Sequence, residues 1–376
     1  MDFSKITRIG FIVSLALLAA CGDDNSSGSS SGISTPLGES VAPAFLKKGD
    51  KIALLSPSYF TPDSNIQKTA NVIKEWGFKP VIGKNVSKLD AGKYAGTAEE
   101  RADDFIKALK DTSIKAILCN RGGYGAIQLV DLIDLKTVKD NPKWLIGYSD
   151  ITTLHAMQTK AGVMSIHGTM STSIVKTGGK DDNSTLLRDL LKGSVPTYKV
   201  PKHEYNQKGT AEGILVGGNM ATFVPLVGSS DIDIFTNDGI ILFMEEVGES
   251  LHNIDRMFNT LELHGVMENV KGVILGDFVE SGMDQDFEST EEMLSKYLKK
   301  YNIPVLCGFP AGHDDVNLPL IMGAKVKMEV KSDGATLSFD IEGDKKTIET
   351  KKLTNVPVLA KALHKMLSGK TFAIEE

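Results

Sequence analysis

The chain contains little cysteine and carries no excess of positive charge. Its 376 residues include three cysteines, Cys21, Cys119 and Cys307. Three are too few for a disulfide framework, and their spacing is not that of a metal site. We predict neither a metal nor a cofactor. The formal net charge of -6 argues against nucleic-acid phosphates as the main partner. Cys119 and Cys307 are expected to be small buried hydrophobic residues.

The amino-terminal segment joins basic residues to a short apolar run. Two basic residues precede the apolar run at 9–20, which ends in Leu-Ala-Ala just before Cys21. A helix needs about 20 apolar residues to cross a bilayer, so a transmembrane anchor is the weaker interpretation. The pattern resembles a bacterial lipoprotein signal, with a plain cleaved signal as the alternative. It predicts a signal peptide at 1–20 and a lipid on Cys21 that anchors the protein in the cell envelope, facing the periplasm or the exterior.

The length of the chain favours two domains with additional tails. A serine- and glycine-rich stretch after Cys21 predicts a flexible tether. A polar, lysine-rich stretch begins near residue 178 and predicts a link between the domains. The predicted boundaries are 21–44 for the lipidated cysteine and tether, 45–178 for the first domain, 179–208 for the linker, 209–343 for the second domain and 344–376 for an extension with a helix at 356–367.

Apolar runs and amphipathic stretches alternate in the first domain. Strands are predicted at 52–56, 80–82, 116–119, 144–148 and 163–166, with helices between them at 66–76, 98–109 and 128–133 and a helical face at 151–157. This order indicates a parallel sheet with helices on its faces. Alternating runs at 325–330 and 336–340 predict half-exposed strands in the second domain. We therefore predict an α/β fold, with an N-terminal parallel-sheet α/β domain and a second, β-richer α+β domain.

Two short motifs each follow a predicted strand and open a helix. The run Asn-Arg-Gly-Gly-Tyr-Gly at 120–125 lets backbone N–H groups approach an anion. It lacks the lysine of a phosphate-binding loop, and a plain tight turn explains it equally well. Ser149 stands where a nucleophile elbow would place it, although the usual flanking glycines are not both present. Alternatively, Ser149 or Asp150 simply caps the helix.

The second half of the sequence contains a candidate catalytic acid and a candidate base. Glu245 and Glu246 end a predicted strand, and His313 lies in a glycine-containing loop. Taken alone, such a glutamate is more often solvated and such a histidine is more often a surface residue. His167 also ends a predicted strand and is a competing histidine.

Taken in order, these motifs resemble the serine LD-carboxypeptidase family, which includes muramoyl-tetrapeptide carboxypeptidases and microcin C self-immunity peptidases. The resemblance runs from about residue 45 to about residue 341. The family often has proline after its His-Gly, whereas here Thr169 follows. The matching segments are 49–52, 56–58, 121–125, 147–152, 166–168, 217–220, 245–246, 254–257 and 312–313.

The resemblance implies a role for each motif. Ser149 would be the nucleophile, His313 the general base and Glu245 the carboxylate that orients the histidine. The oxyanion hole would be formed by backbone N–H groups, and a neighbouring set of residues would bind the substrate. The implied oxyanion donors are Gly123 and Asp150, and the implied substrate-binding residues are Arg121, Gly122, Tyr124 and Asn219. Since neighbours in a strand point to opposite sides, we expect Glu246 to face away and to tolerate glutamine.

The implied substrate is a murein tetrapeptide, from which a terminal D-alanine would be released at an L-to-D amide bond during peptidoglycan recycling or remodelling. An aminoacyl-nucleotide antibiotic is the alternative substrate. A lipoprotein that binds murein peptides without cutting them is a third interpretation, although a binder has no need of all three catalytic groups. A homodimer is left open.

Overall fold

The computed structural model describes residues 37–229, 231–279, 287 and 289–353. The predicted signal peptide, Cys21 and the predicted helix at 356–367 lie outside these residues. Among the helices that are described, none is both long and apolar enough to cross a membrane.

Strands and helices alternate along most of the described chain. The strands are β1 (Lys51–Leu55), β2 (Lys79–Ile82), β3 (Ile114–Cys119), β4 (Trp144–Gly147), β5 (Ser165–His167), β6 (Ser194–Pro201), β7 (Gly209–Asn219), β8 (Ile240–Val247), β9 (Val270–Val279), β10 (Val305–Cys307), β11 (Leu320–Met322), β12 (Lys325–Val330), β13 (Gly334–Phe339) and β14 (Asp344–Glu349). The α-helices are α1 (Asp63–Glu75), α2 (Ala98–Lys110), α3 (Leu135–Asp140), α4 (Thr152–Lys160), α5 (Ser171–Thr177), α6 (Asp182–Leu191), α7 (Met220–Phe223), α8 (Leu251–Leu263), α9 (Val266–Asn269) and α10 (Thr290–Leu298).

The first sheet has the strand order β11-β5-β4-β3-β1-β2. Every pair from β2 to β5 is parallel, as the alternation of strands and helices predicts. The added strand β11 comes from late in the chain and pairs antiparallel with β5. Strands β3 and β4 are almost wholly buried, because helices cover both faces of a parallel sheet.

Helix α2 shows how local sequence sets an element of this domain. Thr97 accepts a hydrogen bond from the Glu100 N–H, and the Glu100 carboxylate accepts one from the Thr97 N–H. This capping box satisfies two backbone donors at the helix start. Phe105 and Leu109 lie on the buried face of the helix and pack in the core beneath the sheet.

The second sheet has the order β10-β9-β8-β7-β12-β13-β6-β14. Strands β7 to β10 pair in parallel, and β12 and β13 add antiparallel strands beyond β7. Buried and partly or fully exposed residues alternate along β12 and β13, as expected for strands with one solvated face. The described chain is therefore the predicted α/β fold with a second, mixed and β-richer sheet.

Several segments near the predicted boundaries are regular structure. The predicted linker at 179–208 contains α6 and β6, and β6 pairs in parallel with β14 from the predicted extension. In the predicted tether, the Val41 N–H donates to Gly162 O and the Met164 N–H donates to Val41 O. The domain boundaries themselves remain predictions.

The carboxyl ends of several strands carry the residues singled out by the sequence. The glycine run follows β3, Ser149 follows β4, and Glu245 and Asn219 are paired at the ends of β8 and β7. In open parallel sheets, ligands bind in the crevice beyond these strand ends.

Candidate active site

Ser149 stands on a sharp turn between β4 and α4. It begins a short 3-10 helix, Ser149–Ile151, and has a φ of 64°. A residue other than glycine in this left-handed region stores about 1–3 kcal/mol of strain. The side chain is partly exposed. The backbone thus has the strained strand-to-helix turn of a nucleophile elbow, without its usual sequence pattern.

The glycine turn after β3 passes directly against Ser149. A Cβ on Gly122 would stand 3.2 Å from the Ser149 hydroxyl oxygen and 3.4 Å from the Asp150 nitrogen. Gly123 has a φ of 117°, and a Cβ there would overlap the Tyr59 ring. Only glycine allows both approaches, so backbone of this turn and of Asp150 meets at the serine.

The Asp150 side chain ties the serine turn to the glycine turn. Its buried carboxylate accepts hydrogen bonds from the Ser58 hydroxyl and from the Ala126 N–H at 2.9 Å. Burial raises the pKa of Asp150, and these donors offset part of that rise. Arg101 supports the same turn by donating to Pro57 O and Gly125 O. Sequence reasoning missed the roles of the Ser58 and Arg101 side chains, although Ser58 lies in one of the motifs of the resemblance.

His313 and Glu245 form a hydrogen-bonded pair. The His313 Nδ1–H donates to Glu245 Oε2 at 2.7 Å, with the glutamate side chain fully buried and the histidine side chain 15% exposed. This bond fixes the tautomer and leaves Nε2 as the free base nitrogen. Burial opposes protonation of His313, but Glu245, followed by Glu246 and Asp277, raises its pKa above the ordinary value.

Tyr148 links this pair to the serine turn. The Tyr148 ring meets the His313 ring edge to face, with centroids 5.0 Å apart, and Tyr148 directly precedes Ser149. Among the described residues, no hydrogen bond joins His313 to the Ser149 hydroxyl; catalytic hydrogen bonds often align only when substrate binds. His167, the competing histidine, is fully buried, and burial, followed by His155 and His313, lowers its pKa well below the ordinary value.

Glu246 faces away from His313, as strand alternation predicts, but it belongs to the site. Its Oε1 accepts hydrogen bonds from Asn219 Nδ2 and the Val247 N–H, each at 2.8 Å. Its Oε2 accepts from the Ala221 N–H at 2.6 Å. The sequence predicts that Glu246 tolerates glutamine, whereas these contacts favour the opposite, because the carboxylate holds the start of α7 and orients Asn219.

A cleft of about 450 Å³ opens beside Ser149. Tyr124, Ile127 and Val247 supply exposed apolar surface, while Asn219 and the carboxylates supply polar groups. Of the predicted site residues, Gly123, Tyr124, Ser149, Asp150 and Asn219 line this cleft.

The remaining predicted residues lie around it. Gly122 lies against the Ser149 side chain. The Glu245–His313 pair lies beside Tyr148, whose ring contacts the His313 ring. Arg121 is partly exposed, with its guanidinium carbon 5.6 Å from the Tyr59 ring centroid. Cys119 and Cys307 are buried, which raises the pKa of both thiols. Within the described ranges, no group of three or more metal-ligating side chains is placed to hold an ion.

Comparison with known proteins decides the family. Residues 52–168 match the LD-carboxypeptidase N-terminal domain, and residues 212–328 match the LD-carboxypeptidase C-terminal domain. The chain belongs to the LD-carboxypeptidase family. A curated relative from Bacillus subtilis, named "Probable murein peptide carboxypeptidase", is 30% identical to this LD-carboxypeptidase over 320 residues, covering 81% of this chain and 97% of its own. Membership makes the chain a serine-type peptidase.

Solved structures agree on the fold. The muramoyltetrapeptide carboxypeptidase of Oxalobacter formigenes superposes with a TM-score of 0.68 at 24% identity, covering 78% of this LD-carboxypeptidase and 99% of that chain. A structure of MccF in complex with glutamyl sulfamoyl guanosine has a TM-score of 0.68 at 25% identity, covering 81% and 98%.

Proposed function

We propose that this enzyme removes the terminal D-amino acid from murein tetrapeptides, using Ser149, His313 and Glu245 as its catalytic set. The observation that carries the proposal is the His313–Glu245 hydrogen bond beside a serine on a strained turn. The relative named as a murein peptide carboxypeptidase supports the substrate class.

Each group has a defined step. His313 Nε2 takes the proton from Ser149 as the hydroxyl oxygen attacks the carbonyl carbon of the scissile amide. Backbone N–H groups of Gly123 and Asp150 donate to the resulting oxyanion; loss of one such donor costs about 3–4 kcal/mol in other enzymes. His313 then protonates the leaving amine, the D-amino acid departs, and water attacks the acyl-enzyme with His313 again as base.

Charge sets the direction of the substrate. The cleft residues that are described include three carboxylates, Asp150, Glu246 and Glu249, and no lysine, arginine or histidine. Arg121 lies outside this lining and forms no ion pair with any described residue. We therefore propose that Arg121 receives the terminal carboxylate, while the amine of the diamino acid enters the cleft near Glu249.

The same charges weigh against an acidic aminoacyl nucleotide. MccF has been solved with glutamyl sulfamoyl guanosine, which presents a carboxylate side chain. A carboxylate that entered the cleft near Glu249 would meet a group of like charge, a repulsive arrangement. An acidic aminoacyl group is thus less compatible with this cleft than the amine of a diamino acid.

The test is incubation with murein tripeptide, tetrapeptide and pentapeptide, with products identified by mass. We expect D-alanine from tetrapeptide, and lower kcat/KM for tetrapeptide with an acetylated side-chain amine or an amidated C-terminus. Ser149→Ala should abolish turnover. Faster cleavage of a glutamyl sulfamoyl nucleoside than of any murein peptide would overturn the assignment.

We also propose that the mature enzyme is anchored by lipid on Cys21. The short apolar run before that cysteine supports this proposal. Metabolic labelling with a fatty acid should tag the wild-type chain and not Cys21→Ser, and the variant made without residues 1–20 should remain active. Equal labelling would disprove the anchor. Light scattering of the same sample tests for the homodimer.

A further inference from the structure

His313 is carried by a connection that crosses between the two sheets. Strand β10 belongs to the second sheet, where it pairs with β9, and β11 belongs to the first, where it pairs with β5. Residues 308–319 make the crossing. The base therefore lies outside both sheets, whereas Glu245 lies on β8 and Ser149 lies two residues after the end of β4.

Asn317 closes the part of the crossing that contains His313. Its side chain is buried, and its Oδ1 accepts a hydrogen bond from the Gly312 N–H at 3.2 Å. On the other side of the loop, the Asp277 N–H donates to Ala311 O at 2.9 Å. Gly312, the residue directly before His313, is thus fixed by a side chain five positions later in the chain.

Asn183 holds the same segment from a separate element. It lies in the first turn of α6, where its Nδ2 donates to Asp315 O at 2.9 Å. Its Oδ1 accepts from the Asn317 N–H at 3.0 Å. The Asn183 side-chain amide therefore hydrogen-bonds both a backbone carbonyl and a backbone N–H of the crossing segment. Asn183 itself lies in the region that the sequence predicts to be only a linker.

The backbone before His313 has little freedom to move. Gly312 has a φ of 143°, and a Cβ there would stand 3.1 Å from Glu245 Oε2. The loop thus runs directly against the carboxylate that orients the imidazole. A small shift of the loop would change the geometry of the His313–Glu245 bond and of the His313–Tyr148 contact.

We propose that Asn183 and Asn317 are positioning residues that hold His313 in register with Glu245 and Ser149. The proposal rests on the proposed role of His313 as the general base. The two asparagines act through the loop and do not reach the reacting atoms. Misplacement by about 1 Å can cost about 100-fold in rate, so loss of either amide should lower kcat with little change in KM.

The pH profile separates positioning from a merely structural role. When the loop is held, Glu245 raises the pKa of His313 despite its burial. When the loop is released, the His313–Glu245 hydrogen bond is less populated and the pKa of His313 falls toward the ordinary histidine value. The acidic limb of kcat/KM should then move to lower pH. The titratable groups whose charge acts on His313 or that lie near it are Glu245 and Glu246 on β8, Asp277 on β9, Tyr148 after β4, His167 on β5, and Asp314 and Asp315 in its own loop.

The experiment compares Asn183→Ala and Asn317→Ala with Asn141→Ala. Asn141 caps α3 and donates through Nδ2 to Thr137 O at 2.9 Å, so it is a matched amide away from the loop. We expect kcat to fall about 10- to 100-fold in the first two variants and to be unchanged in the third. An NMR titration of His313 should show a lowered pKa in Asn183→Ala.

Two results would overturn the proposal. One is a folded Asn183→Ala enzyme with wild-type kcat and an unmoved His313 titration. The other is activity that falls only in proportion to the folded fraction, with the acidic limb unchanged. Failure of the proposed function is distinguishable, because turnover by His313→Ala at a wild-type rate would remove the base itself, whatever the asparagine variants do.

Discussion

Ser149 holds a backbone conformation that glycine adopts more easily than serine. Its φ of 64° is sustained by surrounding structure, namely the Asp150 carboxylate bound to Ser58 and the Ala126 N–H. Strain of this kind at a nucleophile keeps the hydroxyl projecting from the turn. The strain at Ser149 can therefore be measured through the stability of Ser149 variants as well as through their activity.

Ser149→Gly and Ser149→Ala should therefore differ in stability while both lose activity. Alanine retains the Cβ at positive φ, and glycine does not, so the free energy of unfolding should be about 1 kcal/mol higher for the glycine variant. Denaturant unfolding of the two variants and the wild type measures this. Equal stabilities would show that the turn stores no strain.

His313 should give the acidic limb of activity. It must be neutral to accept the serine proton, and its pKa is raised, so kcat/KM should fall as pH drops through a value above that of an ordinary histidine. Glu245→Gln removes the partner charge and should move this limb to lower pH. It should also lower kcat by up to about ten-thousandfold, as loss of an orienting carboxylate does elsewhere. If the acidic limb of kcat/KM did not move in Glu245→Gln, Glu245 would not be the group that raises the pKa of His313.

At the scale of the element, β8 delivers two glutamates to opposite sides of one strand. Glu245 points to His313, and Glu246 points to the cleft side, where it accepts from Asn219 Nδ2 and the Ala221 N–H. Burial raises the pKa of Glu246, partly offset by these donors. One strand end thereby organises both the base and the cleft.

Glu246→Gln should be damaging in a different way from Glu245→Gln. Glutamine would place an NH₂ group against one of the N–H donors now satisfied by the carboxylate, an unmet buried contact worth about 1–3 kcal/mol. We expect lower stability and raised KM, with the acidic limb of kcat/KM much less affected than in Glu245→Gln. Wild-type stability and KM would contradict the contacts at Asn219 and Ala221.

Sequence patterns located the five parallel strands of the first sheet, though not the antiparallel β11, because buried parallel strands are continuous apolar runs, as at β3 and β4. The same patterns found Ser149 and the glycine turn, which are local features. They did not find Arg101 or the amide pair of Asn183 and Asn317, whose partners are far away in the chain. The resemblance selected Glu245, but the carboxylate role of Glu246 depends on Ala221, which only the folded chain brings close.

At the scale of the whole molecule, the two sheets share their hydrophobic interior. One cluster joins Ala53 and Leu145 of the first sheet to Val216 and Leu275 of the second. A second cluster does the same on the other faces. Strand β11 adds a further link, because it carries late sequence into the first sheet. The site between Ser149 and His313 depends on this shared packing.

Unfolding should therefore be a single cooperative transition. Phe243→Ala should lower the free energy of unfolding without dividing the unfolding into two transitions. Phe243 lies on β8, is fully buried, and meets the His167 ring of the first sheet edge to face at 5.0 Å. Removing a buried phenylalanine side chain costs about 3–5 kcal/mol, and Phe243→Leu should cost less because it leaves a smaller cavity. Calorimetry should give matching calorimetric and van't Hoff enthalpies for all three proteins. Two separate transitions, with only one shifted by Phe243→Ala, would mean that the two sheets fold independently and that the triad forms across a loose interface.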